Sequence, residues 1–518
     1  MDNKQKIQGR VDWVFFIFLF LFTNQAVLSL KVAGLVFIYL LRPNFKFGLS
    51  QDRLPKFYLY IILLAAINLL VHVREFSSGY LAAFSVGSLL WLFAFLAYHQ
   101  LKLHLERYGP EGVYETLKAF TLANVLFSFW QLGKIILITG KLNPYSGLPF
   151  PYGMSTGDNI FGFFMQNSYY NMMVSAMLGV YFIFKRNLLF SVLSVITLML
   201  VFGNIGTIVF VASAGALLLT GIMNEVTSGQ YGWLQRLSPP GSYKVYIPAM
   251  LLFVGVSYAS LSPENFRYAV KKMQDKVFAL KTTEKNNFRT MISADEPDTA
   301  VYNPFAPNAP EITEKIAKTE VTLKDLESQA KTAPEDKKLE AKKKLTEDYI
   351  LRFKGKSLAM VEAFNYVKSS PPALMLGAGT ARFSSLTAQK VAGFDSSRLF
   401  MNVLPHYRSP EYAENHMLII EGRIKAHSKY FSNANWPDSF FAQLVSEYGL
   451  LGVITFLVFY VYYFVKRRKY WTYGFWLCIM IIPFAHMTYL FEPLCVMVFF
   501  ELLMEADIKE QELKEQQQ

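Results

Sequence analysis

The chain has 518 residues, 53% of them hydrophobic and 17% charged, with a formal net charge of +12. A soluble globular chain carries about 25% charged residues. The deficit, together with a positive mean hydropathy of +0.25, excludes a disordered chain, a disulfide scaffold and a set of ordinary soluble domains.

Runs of mostly apolar residues, near the length of about 20 that spans a bilayer, recur along the chain. They fall near 12–28, 30–42, 55–72, 81–99, 116–138, 167–184, 187–203, 205–222, 245–262, 447–465, 470–486 and 488–504. The first two divide one apolar stretch at Asn24, Gln25 and Lys31, so one long tilted helix is the alternative there. The first run follows Lys4, Lys6 and Arg10 without a small-x-small cleavage site, and reads as a retained helix. The expected fold is an all-α, polytopic membrane helix bundle of about twelve transmembrane helices with one large, mostly helical external loop. Its parts are an N-terminal bundle (1–262), a loop domain (263–446), C-terminal spans (447–505) and a tail (506–518).

Lysine and arginine in short loops set orientation. With the N-terminus inside, the inner loops hold Arg42, Lys46, Arg53 and Lys56, then Lys102 and Arg107. Lys185 and Arg186 follow, then Arg236 and Lys244, and last the run Lys466 to Lys469. Both termini are therefore expected in the cytoplasm, with the acidic tail after Ala506 a solvated end. The 263–446 segment falls outside. Within it, 264–289 has an amphipathic helical pattern, 291–310 reads as a loop, and 311–346 reads as a Lys/Glu-rich helical hairpin. Residues 347–370 form another amphipathic pattern, ended by Ser-Ser-Pro-Pro, and the chain is then irregular to Pro437.

Three cations break the charge rule. Lys31, Arg74 and Lys134 sit near outer helix ends, where they either snorkel or contribute to an outer cationic pocket for an anionic lipid headgroup. There is no GxxxxGK[ST], no HExxH and no metal-ligand spacing around Cys478 or Cys495, so neither cofactor nor metal is expected.

Three stretches together resemble the O-antigen polymerase and O-antigen ligase superfamily of bacterial envelopes. They are Gly162-Phe163-Phe164-Met165-Gln166-Asn167 opening a span, residues 349–383 with Arg352 before an amphipathic helix and a Gly377-Ala378-Gly379 turn, and residues 437–452, PDSFFAQLVSEYGLLG. Asp438-Ser439 stand where the ligase-type His-Asn pair is found, and Glu447 with Gly449 and Gly452 keep the family spacing. The missing histidine makes the resemblance polymerase-like. It implies a glycosyltransferase in the bacterial inner membrane, extending a polysaccharide from repeat units carried on polyprenyl pyrophosphate at the outer face. Membrane lipids, the growing polysaccharide acceptor and chain-length regulator or export proteins are the implied partners.

Such chemistry needs donors for the leaving pyrophosphate and an acceptor for the attacking hydroxyl's proton. Arg352 matches the family arginine and is the first choice for the pyrophosphate, and Asp438 is the choice for the base. Asp438 also suits a helix N-cap, and Arg352 suits an ion pair with Glu347 or Asp348. His427 is an alternative base. Lys134, Arg382, Arg398, Arg408 and Arg423 are candidate anion contacts, Trp436 a sugar-stacking ring, and Glu447 a further substrate contact. A ligase, a transporter or flippase, and an export scaffold docked through the Lys/Glu hairpin are the competing readings.

Overall fold

A computed structural model describes residues 10–24, 28–47, 54–73, 76–145, 156–165, 167–262, 355–393, 406–426 and 436–516. Among these residues there is no strand. The apolar runs become helices α1 (Trp13–Thr23), α2 (Leu28–Leu41), α3 (Phe57–Val71), α4 (Ser78–Thr139), α5 (Ser168–Phe184), α6 (Leu188–Val201), α7 (Asn204–Val226), the short α8 (Gly232–Leu237) and α9 (Tyr243–Leu261). The loop region contributes α10 (Gly355–Val367), α11 (Pro371–Leu376), α12 (Leu386–Val391) and α13 (Met417–Ala426). The bundle then resumes with α14 (Phe440–Lys466), α15 (Tyr473–Met487) and α16 (Val496–Gln516).

Helices α4, α7, α9 and α14 are long and apolar enough to cross a membrane. Helices α1, α2, α3, α5, α6 and α15 are apolar but hold only 10–17 residues. The first apolar stretch is two helices, not one. The 11 residues of α1 extend about 17 Å, well short of a ~30 Å hydrocarbon core. The pair folds back on itself, and a Cβ on Gly34 would stand 3.2 Å from the Leu21 Cβ. Lys31 is buried between them. It donates to the carbonyls of Phe22 (2.9 Å), Asn24 (3.0 Å) and Pro493 (2.8 Å), so it ties this hairpin to the turn before α16 rather than lining an anion pocket.

The expected spans 81–99 and 116–138 lie on one element, α4. Gly109, at φ 67° and ψ 179°, breaks the helical path, and Pro110 begins the second arm without needing an amide partner. Each arm is about 45 Å long.

Inside the bundle, Phe57, Trp91, Phe440, Phe456, Tyr460 and Phe491 form a ring cluster with centroids 5.0–5.6 Å apart, joining α3, α4 and α14. Offset and edge-on contacts of this kind suit aromatic quadrupoles.

The tail differs most from expectation. Residues 507–516 continue α16, and Glu501, Glu505 and Asp507 are buried. Glu505 takes Lys102 (2.7 Å) and Arg467 (2.5 Å), Asp507 takes Arg468 (2.7 Å), and Glu510 takes Lys185 (2.5 Å). Tyr58 and Tyr460 donate to Glu501. Lys102, Lys185, Arg467 and Arg468, which the charge pattern assigns to inner loops, therefore converge on this one helix, while Arg42 pairs with Asp12 and Lys244 with Glu225.

The segments 264–289, 291–310 and 311–346 lie outside the described residues. The stretch after Ser-Ser-Pro-Pro is not irregular to Pro437. Pro371 and Pro372 open α11, capped by Ser370, and α12 and α13 follow.

Candidate functional site

The site is built where α14 begins. Ser439, not Asp438, caps this helix, its hydroxyl accepting from the Ala442 amide. Asp438 is thereby left to other partners. Lys356, on α10, forms an ion pair with Asp438 Oδ1, and its Nζ also donates to the Asp438 carbonyl (3.3 Å) and the Met487 carbonyl (2.5 Å). Thr488 donates to Asp438 Oδ2 at 3.3 Å and lies 3.1 Å from the hydroxyl of Tyr170, on the first turn of α5. The Thr488 carbonyl accepts the Phe440 amide at 3.0 Å, which fixes the turn against the helix start.

The Lys356 side chain is 4% exposed and that of Asp438 14%. Burial pushes the Asp438 carboxyl above its ordinary value, and the Lys356 ammonium opposes the shift. Burial lowers the Lys356 ammonium, and Asp438 opposes that in turn.

Two of the motif segments meet one layer below. Gly449, at φ 59° and ψ −157°, kinks α14. The carbonyls of Ser446 and Glu447 are taken by the amides of Ala378 (2.8 Å) and Gly379 (3.0 Å). This contact requires glycine on both sides. A Cβ on Gly377 would lie 2.5 Å from the Glu447 carbonyl carbon, and one on Gly449 would lie 2.7 Å from the Gly377 nitrogen. Both residues also hold positive φ. Glu447 is completely buried, and its carboxylate accepts the amides of Ala381 (3.1 Å), Phe383 (3.0 Å) and Ser385 (3.0 Å). The expectation that Glu447 contacts substrate is therefore corrected: it pins the loop.

Glu492 continues the same arrangement. It accepts the amides of Leu386 (2.6 Å) and Thr387 (3.3 Å) and the Thr387 hydroxyl (2.7 Å) at the start of α12. Burial, and then the neighbouring Glu447, push its carboxyl up to about 7.

Trp436 also turns out to have a local role. Its indole N–H donates to Gln389 Oε1 at 2.9 Å, while Gln389 Nε2 donates to Tyr489 at 2.6 Å and faces His416 Nε2 at 3.3 Å. Burial lowers His416 to about 3, so the ring is neutral there. The Trp436 ring packs on Ala388, Ala392, Tyr412 and Ile420 instead of standing free for a sugar. Trp436→Phe should cost about 1–3 kcal/mol, the lost hydrogen bond to Gln389 plus the space left by the smaller ring, read as a drop in unfolding temperature.

Of the candidate arginines, the two whose side chains are described, Arg382 and Arg408, have partners other than Asp438. Arg382 is fully buried, its guanidinium on Glu411 (2.7 and 2.8 Å) and over the Tyr80 ring at 4.9 Å. Arg408 Nε donates to the Ala392 carbonyl at 3.2 Å. Lys134 is exposed and lies over the Trp130 ring at 4.9 Å. Arg423 is on α13. Arg74, Arg352, Arg398 and His427 lie outside the described residues. Among the described residues, no group of three or more His, Cys, Asp or Glu side chains is placed to hold a metal ion.

Sequence reading missed Lys356, Thr488 and Tyr170. Lys356 was within reach of it, four residues after Arg352 in the same quoted segment. Thr488 carried no signal, because it follows the apolar run of α15 and meets Asp438 only through the fold. Asn167, in the first motif, is the N-cap of α5, accepting the Tyr169 amide at 2.9 Å, and so sets the helix that carries Tyr170. No family model, no curated protein and no solved structure matches this chain.

Proposed function

We propose that this protein is a membrane glycosyltransferase of the O-antigen polymerase type, joining repeat units carried on polyprenyl pyrophosphate at the outer face of a bacterial inner membrane. The observation that carries the reading is the Asp438 site. All three motif segments contribute to it or to its support. Asn167 caps the helix of Tyr170, α10 of the second segment supplies Lys356, and the third segment supplies Asp438 itself.

In the proposed reaction a sugar hydroxyl of the acceptor attacks the anomeric carbon of the donor. The carbon–oxygen bond to pyrophosphate breaks, and the lipid pyrophosphate departs with the bonding pair. The hydroxyl proton passes to Asp438, the partly exposed carboxylate of the site. Arg352, which matches the family arginine, remains the proposed contact for the leaving group.

The test supplies the purified full-length protein in detergent with the polyprenyl-pyrophosphate-linked repeat unit extracted from cells that make the polysaccharide. Lipid-linked chains longer than one unit support the reading, with Asp438→Ala and Arg352→Ala as inactive controls. Unchanged substrate with wild-type protein, alongside glycolipid flux in liposomes, replaces it with the transporter reading.

A further inference from the structure

The hydrogen bonds at the site suit an ion pair. An ammonium has three N–H groups, and a neutral amine two. As an ammonium, Lys356 Nζ serves three acceptors, Asp438 Oδ1, the Asp438 carbonyl and the Met487 carbonyl, and has no donor left over. Asp438 accepts at both oxygens, from Lys356 and from Thr488, which is the pattern of a carboxylate. The single hydrogen of Thr488 goes to Asp438, so Tyr170 donates in the Tyr170–Thr488 bond.

We infer that Lys356 is a positioning residue that keeps Asp438 ionised in its buried setting, and that it is not the cation that grips the pyrophosphate. Its three protein acceptors hold it in place, and extraction by a phosphate would break all three bonds. The Thr488–Tyr170 chain holds the other carboxylate oxygen, so the carboxylate plane is fixed from two sides. Among the described residues, the other titratable groups around the pair include Tyr169 and Tyr170 from α5, Tyr489 from the turn before α16, and Asp158, which acts on Tyr169. Lys356 is, among the described residues, the cation paired with Asp438. The inference rests on the glycosyltransferase reading only for its kinetic consequence.

The sign follows from the pair. Removing the ammonium removes what holds the Asp438 carboxyl down, so its protonation moves to higher pH. An opposite charge at this range is worth about 1–3 pH units. Infrared titration of full-length protein, taken as the difference between each variant and the same variant carrying Asp438→Asn, reads this carboxyl without substrate. Lys356→Met should raise its midpoint by about 1–3 units, and Lys356→Arg should leave it near wild type. Should Lys356→Met not fold, Lys356→Gln keeps a donor without the charge and gives the same reading. The acidic limb of the pH profile for chain extension should move by the same amount. Affinity for inorganic pyrophosphate should stay within about twofold in the uncharged variants, as Lys356 has no donor to offer it. An unshifted midpoint, or a tenfold loss of pyrophosphate affinity, overturns the inference. A shifted midpoint without chain extension by wild type keeps the inference and removes the glycosyltransferase reading. Chain extension with an unshifted midpoint does the reverse.

Discussion

In the proposed reaction, Asp438→Asn should lower kcat/KM for chain extension by about 10²–10⁴-fold, the usual worth of a positioned general base. The carboxamide keeps the shape. Its oxygen still accepts from Lys356, and its amide nitrogen faces Thr488, whose hydroxyl rotates to accept. What disappears is the basicity, so the helix content should be unchanged while the rate falls. Product length by gel analysis and circular dichroism on the same sample check both halves. A variant that polymerises within threefold of wild type would remove Asp438 from the chemistry.

Glu447→Ala should have the largest effect on stability, roughly 3–5 kcal/mol. It strips the acceptor from three buried amides, Ala381, Phe383 and Ser385, in a place closed to bulk solvent. Gly377→Ala attacks the same junction from the other side, forcing a Cβ against the α14 backbone. Both variants should be nicked by protease within 377–393 under conditions that leave wild type intact, and both should show lowered unfolding temperatures in detergent. Glu447→Gln, which retains one acceptor but turns an NH₂ toward amides, should fall between. Equal protease resistance in Glu447→Ala and wild type would mean that the carboxylate does not hold the loop.

The helices were legible in the sequence because a 20-residue apolar run has little else to become in a bilayer. The continuity of α4 was not, because residues 100–115, between the spans 81–99 and 116–138, read as a polar inner loop. His99, Gln100, Lys102 and His104 are instead carried on helix, where Tyr39 of α2 meets His99, Glu505 of α16 meets Lys102, and Asp12, the cap of α1, meets His104. The same blindness hid the tail. Glu505 and Asp507 look solvated in sequence, and only the fold brings Lys102 and Arg468 to them. At the site, Asp438 stood out by its place before an apolar helix, whereas the cap signal was ambiguous between Asp438 and Ser439. Local sequence cannot say which of two adjacent good caps the helix uses. The five loop amides bound by Glu447 and Glu492 were invisible for a plainer reason: backbone donors leave no mark in composition.

Helix α16 has a consequence for how the chain is made. Lys102, Lys185, Arg467 and Arg468 all precede residues 501–510 in the chain. During synthesis each of these cations waits at the bundle's edge without its counter-charge until α16 emerges. Closure of that end is therefore a late event, and it depends on one helix arriving in register. A ribosome that stalls or terminates before Glu501 leaves four basic side chains facing places built for carboxylates. Such a product carries a marked electrostatic defect, which membrane quality control can distinguish from the finished protein.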